Sequence, residues 1–418
     1  MKTYKGVRQT RRMLLALACW GILGAQAQTP AQAPIRIGLM TVKSGAAAGI
    51  GTQMEDGFTL FLKQRNYLLG GRKVELIVVD TAANPAVAKT KLQELVERNK
   101  VNVLVGPLAT FEALAIDDNV RQAGVPLILS SATAEDLTQR KPNPLVIRSS
   151  SSSAQASHAL GEYAVKTLGY RRVAMVGEDL AFSHELIAGF QRTFEEAGGK
   201  VVQKLWSPFN ASDFASYIAQ IKPDVDAVFV NFSGANAIRF LKQYREFSQQ
   251  GGKPLLAGMN TVDESILPAI GDAAAGIVTA GWYSAAIDTP ENRQFVDAYQ
   301  REFKAEPGFY STGGYSAGLL LESAVKAVNG KVEDRAALAR ALHGASVAAS
   351  PRGPIRLDSY GNPVATVYIR KTARVNGRLQ NSVVATIHNV SQFWTYEPRS
   401  FLAAPVYSRD YPPARNLE

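Results

Sequence analysis

From residue 35 onward, short apolar runs rich in β-branched residues alternate with stretches whose apolar positions recur at helical spacing. That alternation confines the chain to an α/β architecture, because strands buried on both faces read as continuous apolar runs while the helices covering them are amphipathic. Strands are expected at residues 35–41, 74–80, 101–105 and 125–129, with helices at 53–64, 86–98 and 111–122 between them. Repeated strand, helix and strand units imply a mainly parallel sheet with right-handed crossovers.

The pattern pauses at Arg148-Ser149-Ser150-Ser151-Ser152-Ser153, which reads as a crossing between two units, and then restarts. A second set of strands is expected at 172–176, 200–205, 225–231 and 254–257, with helices near 183–197, 214–221 and 235–247. Residues 276–282 lead back to the first unit, which gains helices at 290–303, 314–328 and 335–342. After Gly353, residues 364–371 and 383–388 alternate like antiparallel strands joined near the turn Asn376-Gly377. Two similar units joined by several crossings imply a two-lobed molecule with a cleft. The first lobe takes 34–148 with 282–352 and the second takes 149–281 with 353–392, while an aromatic- and proline-rich tail, 393–418, lies on the surface.

Residues 1–27 read as an export leader. Lys2, Lys5, Arg8, Arg11 and Arg12 precede a short apolar run, and Ala25-Gln26-Ala27 is the small-x-small pattern at which a signal peptidase cuts. The apolar run is too short to cross a bilayer, which takes roughly 20 residues. Cys19 raises a lipoprotein signal, but Ala16 stands where a leucine is usual; Arg11-Arg12 leaves the twin-arginine route open beside ordinary secretion. Without the leader the formal charge falls from +10 to +5, and no Lys/Arg-rich run remains to suggest nucleic acid. Cys19 is the only cysteine, so the exported chain forms neither a disulfide nor a thiolate metal site.

In open parallel sheets ligands gather beyond the carboxyl ends of the strands, near helix N-termini. Small polar residues stand there in this chain. The first strand leads into Lys43-Ser44-Gly45-Ala46-Ala47-Ala48-Gly49-Ile50-Gly51-Thr52, whose tiny residues would let backbone N–H groups approach an anion; a flexible surface loop explains the same composition. No Gly-Lys-Ser/Thr follows at phosphate-loop spacing and no clean dinucleotide fingerprint is present. Gly106-Pro107-Leu108-Ala109-Thr110 follows the third strand and Ser130-Ser131-Ala132-Thr133 the fourth. Each sets a hydroxyl at a helix start, either as a simple cap or as one of two partners converging on a carboxylate.

Residues 35–41 with their Gly-rich loop, Gly106-Pro107 followed by Thr110, Pro126 through Thr133, and Gly314-Tyr315-Ser316-Ala317-Gly318-Leu319-Leu320 together resemble the leucine/isoleucine/valine-binding group of periplasmic solute-binding proteins. This is the type I fold of ATP-driven importers, and the likeness covers nearly the whole exported chain. It implies a periplasmic receptor, monomeric and without cofactor or metal, that closes on a small carboxylate and hands it to an ABC permease and ATPase. It makes Thr110 and Thr133 hydroxyl partners of the carboxylate, with the Ser44 loop, Ala109 and the backbone around Ser131 and Ala132 beside them. Phe182 falls where the family often has a tyrosine that covers the ligand, and Phe232 and Ser233 form a second wall position. Amino-acid binders of the family usually place an acidic residue after the strand at 254–257; this chain has Gly258-Met259-Asn260-Thr261 there. A buried ammonium without a carboxylate is costly. The departure therefore implies an aromatic or similarly flat acid held between Phe182, Phe232 and Tyr283. A branched-chain amino acid, met by Asp263 or Glu264, is the alternative. The tail around Trp394-Thr395-Tyr396 and Tyr407-Ser408-Arg409-Asp410-Tyr411 resembles family members associated with aromatic acids.

Two other functions fit parts of the chain. Gly314-Tyr315-Ser316-Ala317-Gly318 matches the Gly-x-Ser-x-Gly nucleophile elbow of a secreted serine hydrolase, a motif that needs a strand directly before it. The sequence predicts a helix there instead, and none of His158, His184, His343 and His388 sits in a recognisable catalytic or metal-binding setting. A periplasmic sensor module would use the same lobes and cleft.

Overall fold

The computed structural model describes residues 1–3, 32–247 and 252–418. The expected leader and its cleavage point after Ala27 lie outside the described residues, residues 1–3 apart. No helix among the described residues is long and apolar enough to cross a membrane.

The molecule is two-lobed and α/β. The first sheet contains β1 (Ile35–Thr41), β2 (Leu68–Leu69), β3 (Arg72–Asp80), β4 (Val103–Val105), β5 (Leu127–Leu129) and β6 (Val146–Arg148), in the order β2-β3-β1-β4-β5-β6. All neighbours are parallel except the hairpin pair β2 and β3. Helices α1 (Ala48–Gln64), α2 (Pro85–Gln93) and α3 (Thr110–Ala123) make the crossovers. Ile35, Ile37 and Leu39 of β1 are fully buried, as are Val103 to Val105. Burial of each such side chain contributes about 1.5–3 kcal/mol.

The second lobe repeats the plan. Helix α4 (Ser153–Lys166) leads into β7 (Arg172–Glu178), α5 (Ala181–Glu196), β8 (Lys200–Ser207), α6 (Ala215–Ala219), β9 (Ala227–Asn231), α7 (Gly234–Phe247), β10 (Leu255–Gly258), α8 (Leu267–Ile270) and β11 (Val278–Gly281). After α9 (Pro290–Phe303), α10 (Phe309–Ala327) and α11 (Arg335–His343) come β12 (Ser346–Val347), β13 (Ile355–Leu357), β14 (Pro363–Val375) and β15 (Arg378–Val390), and the chain ends past α12 (Pro398–Ala403). The sheet runs β12-β13-β14-β11-β10-β9-β7-β8, with β15 paired to β14 across the turn at Asn376-Gly377. Its parallel part, β8-β7-β9-β10-β11, has the same strand order as the first sheet.

Two expectations change. Residues 276–282 do not return to the first unit as strand: β11 is hydrogen-bonded to β10 and β14 of the second sheet, so the chain crosses after it, at Trp282. The serine run is also shorter as a crossing than its composition suggests, because Ser153 already begins α4, a helix the apolar pattern does not predict. Helix α4 is buried almost all round, its small residues packing directly on α5. A Cβ at Gly189 would stand 2.5 Å from that of Ala154, and one at Gly161 would stand 2.4 Å from the Phe190 carbonyl oxygen.

Three stretches distant in sequence meet at Arg352. Arg352 Nη1 donates to the Ser149 and Ser150 carbonyl oxygens at 2.6 and 2.8 Å, and its guanidinium stacks 4.0 Å from the Trp282 ring. The tail docks on the second lobe. Phe401 and Tyr407 are almost fully buried with Phe393 against Ala154 and Ala188.

Candidate functional site

Both sheets reverse their strand order between the first strand and its later neighbour, at β1/β4 and at β7/β9, and the loops beyond those strand ends face one another. Reversal points of this kind open a crevice at the carboxyl edge of a sheet. The crevice here leaves about 110 Å³ open to the centres of water-sized molecules.

The first lobe supplies Ala47 and Ile50 after β1, Leu108 to Phe111 after β4, and Ser131 and Thr133 after β5. Gly106 makes the turn out of β4 possible: its φ is +99°, and a Cβ there would lie 2.1 Å from the Met40 carbonyl oxygen. Thr110 opens α3, so the first N–H groups of that helix have no acceptor within it. Thr110 Oγ1 accepts the Thr133 N–H at 3.0 Å and lies 3.2 Å from Thr133 Oγ1. Ser131 Oγ donates to the Leu108 carbonyl oxygen at 2.7 Å, which ties the two loops together.

Facing them, Phe182 and Leu186 come from α5, Phe209 from the loop after β8, Ser233 from the loop after β9, and Gly258 to Asn260 from the loop after β10. Ser151 to Ser153 and Leu160 on the α4 side, with Phe309 and Tyr310 at the start of α10, complete the wall. Among the described residues no lining residue is charged: hydroxyls, one amide and a majority of apolar side chains form it.

Of the residues singled out by sequence, Ala109, Thr110, Ser131, Thr133, Phe182, Ser233 and Asn260 meet on this cavity. Ser44, Ala132, Phe232, Thr261 and Tyr283 do not. Ser44 is exposed beside Asp80, and the Ala132 carbonyl is turned inward to accept from Arg148. Phe232 stacks on Phe240, ring centroids 4.2 Å apart, inside the second-lobe core. Thr261 Oγ1 accepts the Phe232 N–H at 3.0 Å and so joins two loops rather than facing the cavity. Tyr283 is fully enclosed in the core near Trp282 and Phe295. Ring size alone cannot tell a wall from a core. The aromatic walls that sequence reasoning missed are Phe111, Phe209, Phe309 and Tyr310. Phe309 and Tyr310 were legible only as residues ahead of a helix, and the helix in fact starts with them.

The acids near the cavity are engaged elsewhere. Asp263 Oδ2 accepts the Phe309 N–H at 2.6 Å and Oδ1 takes the Ser265 N–H, so this carboxylate caps α10. Glu264 pairs with the fully buried Arg370 at 3.3 Å, and burial pushes its carboxyl up to about 7. Glu178 accepts from Ser233 Oγ and Asn236 Nδ2 at 2.9 and 2.7 Å; burial raises it to about 7 as well. Ser316 is the eighth residue of α10, with no strand before it, so no nucleophile elbow forms. Its neighbour Gly314 lets α10 touch α1, a Cβ there falling 2.3 Å from the Met54 carbonyl oxygen. Among the described residues no three His, Cys, Asp or Glu side chains are grouped to hold a metal ion.

An ABC transporter substrate-binding protein from Sphaerobacter thermophilus is 36% identical, with a TM-score of 0.81 over 86% of this chain and 99% of that one. A solute-binding protein of an ABC transporter from Rhodopseudomonas palustris BisB5, solved with 3,4-dihydroxybenzoic acid, is 34% identical with a TM-score of 0.82, over 86% of this chain and 98% of that one. A Leu/Ile/Val-binding protein homolog from Brucella melitensis is 28% identical over 381 residues, 89% of this chain and 96% of that one. The family model described as periplasmic binding protein matches residues 34–376, and the chain, two-lobed with an uncharged interlobe cavity, belongs to that family.

Proposed function

We propose that this protein is the extracytoplasmic receptor of an ABC importer and that its ligand is a small aromatic or similarly flat carboxylate without an α-ammonium. The cavity's lack of any charged lining residue carries this reading. A carboxylate is met by the Thr110 and Thr133 hydroxyls and the N-terminal N–H groups of α3. An ammonium would find only Asn260, Ser233 and carbonyl oxygens, and Asp263 and Glu264 are held by α10 and Arg370. Phe111, Phe182, Phe209, Phe309 and Tyr310 supply flat apolar surface for a ring. The relative solved with 3,4-dihydroxybenzoic acid supports the same class, and the Brucella relative keeps a branched-chain amino acid as the competing ligand.

The lobes are 34–148 with 282–352 and 149–281 with 353–392, hinged where Arg352 joins Ser149, Ser150 and Trp282. Strand β12, inside the stretch given to the first lobe, is bonded to β13 and marks where that crossing begins. A ligand touching both walls favours the closed state by its differential affinity for closed over open. The closed monomer then presents the ligand to a permease and its ATPase from the periplasm; the protein performs no chemistry. Titration calorimetry with benzoate, 4-hydroxybenzoate, leucine and valine tests the ligand class. Saturable binding of the aromatic acids is expected, and tight binding of leucine with none of benzoate returns the protein to the amino-acid binders.

A further inference from the structure

Behind the cavity wall a row of hydrogen-bonding groups leads to a buried pair of acids. Glu185 of α5 accepts the Glu135 backbone N–H with Oε1, at 3.4 Å, and its Oε2 lies 2.6 Å from Ser153 Oγ. Ser153 Oγ lies 2.8 Å from Thr133 Oγ1, which lies 3.2 Å from Thr110 Oγ1. A hydroxyl has one proton to give, so the state of Glu185 decides which way the row points. An ionised Glu185 takes the Ser153 proton, and Ser153, left with lone pairs only, draws the Thr133 hydroxyl away from the cavity. A protonated Glu185 donates to Ser153 from Oε2, the oxygen not already taken by the N–H. Ser153 then donates to Thr133 Oγ1 or to the Thr133 carbonyl oxygen at 3.1 Å, and in either case the Thr133 hydroxyl is free to donate into the cavity.

We propose that Glu185 holds a proton while the ligand is bound and that this proton, passed on as hydrogen-bond direction through Ser153, makes Thr133 a donor to the ligand carboxylate beside Thr110. Glu185 is thus a positioning residue, and the proposal rests on the carboxylate-binding reading above. Glu185 and Glu135 are both buried, and Glu135 Oε2 has no hydrogen-bond partner among the described residues. Burial, reinforced by the neighbouring Glu135, holds Glu185 well above the usual carboxylate range; burial pushes Glu135 up to about 7.

The other charged groups facing the pair do not reverse this. Arg148 donates to the Ala132 and Ala134 carbonyls, Thr138 Oγ1 and Asn362 Oδ1 rather than to either carboxyl. Arg140 is bound to tail carbonyls and to Asp136. From α3, Glu112 accepts the Ala109 N–H and Asp117 engages Asn143 and Arg121. On the sheet side Glu178 is held by Ser233 and Asn236, and from α4 and the tail His158 is bonded to Tyr407 and kept neutral by burial, which lowers it to about 3.

Calorimetry with benzoate from about pH 5.5 to 9.5, over which benzoate stays ionised, tests the proposal. Wild-type affinity should hold in acid and fall by about tenfold or more in the alkaline range, where the pair gives up its proton. Glu185→Gln, whose amide donates to Ser153 as the protonated carboxyl does, should bind with the acid-limb affinity at every pH. Glu135→Gln removes the neighbouring negative charge and should move the fall to lower pH. A wild type with no alkaline fall, or a Glu185→Gln variant that keeps it, overturns the proposal. An infrared difference spectrum between wild type and Glu185→Gln at neutral pH gives a readout that needs no ligand: the protonated-carboxyl stretch belonging to Glu185 is expected, and its absence overturns the proposal. Failure of benzoate to bind while that stretch is present counts against the ligand class, not against the proton on Glu185.

Discussion

Thr110 and Thr133 face the same cavity but carry different structural duties. Thr110 Oγ1 accepts the Thr133 N–H, whereas the Thr133 hydroxyl supports no backbone group. Replacing either with the similarly shaped valine removes one charge-assisted bond to a carboxylate, about 1.5–3 kcal/mol, or roughly tenfold to over a hundredfold in affinity. Thr110→Val also strands a backbone N–H and should lower stability by about 1–3 kcal/mol. Thr133→Val should lose affinity with the smaller change in stability. Calorimetry beside urea unfolding separates the two effects, and wild-type affinity in both variants would place the carboxylate elsewhere.

At the scale of elements, the tail is part of the second lobe's structure. His158 Nε2 meets the Tyr407 hydroxyl at 2.9 Å, and the Arg192 guanidinium stacks 3.5 Å from the Tyr396 ring. Phe401 and Tyr407 are 2% and 3% exposed, so removing residues 394–418 takes away two buried aromatic side chains and uncovers the buried His158 at once. At about 2 kcal/mol for each aromatic, the truncated protein should lose on the order of 4 kcal/mol or more. An unchanged urea midpoint would show that α4 and α5 need no cover.

The whole molecule should gain stability as pH falls from 8 to about 5. Glu135, Glu178 and Glu264 are raised by burial to about 7, and Glu185 too is held well above the usual carboxylate range. A carboxyl whose folded pKa exceeds its unfolded value binds more protons when folded. Its contribution is fully present below the unfolded value, near 4.5, and is lost as pH rises through the folded one. Exposed acids held low, such as Asp80, act in the opposite sense only at and below their own acidic range. His158, lowered by burial to about 3, and the lowered His184 and His343 oppose the gain below the unfolded histidine value of 6.5 but are outnumbered by the four raised carboxyls. A melting temperature higher at pH 5.5 than at pH 8, with the difference reduced in Glu178→Gln, is the expected result; the reverse slope would mean that these acids are ionised in the folded protein.

The sequence by itself determined the two parallel units, since β1 and α9 lie where the apolar pattern puts them and β14 and β15 turn at Asn376-Gly377. It also located Thr110 and Thr133, because hydroxyls following strand ends are local features, although only Thr110 opens a helix and Thr133 precedes the short 3-10 turn Glu135–Thr138. Tertiary structure decided the rest. Helix α4 went unread because small residues, Ala, Ser and Gly, fill most of its buried positions, and Phe232 and Tyr283 could not be told from Phe209 and Tyr310 by residue type. Whether a ring faces a core or a cavity depends on what packs against it from distant parts of the chain. The same holds for the buried acids: Glu185 and Glu135 are ordinary helix-terminal residues in sequence, and only burial side by side changes their chemistry.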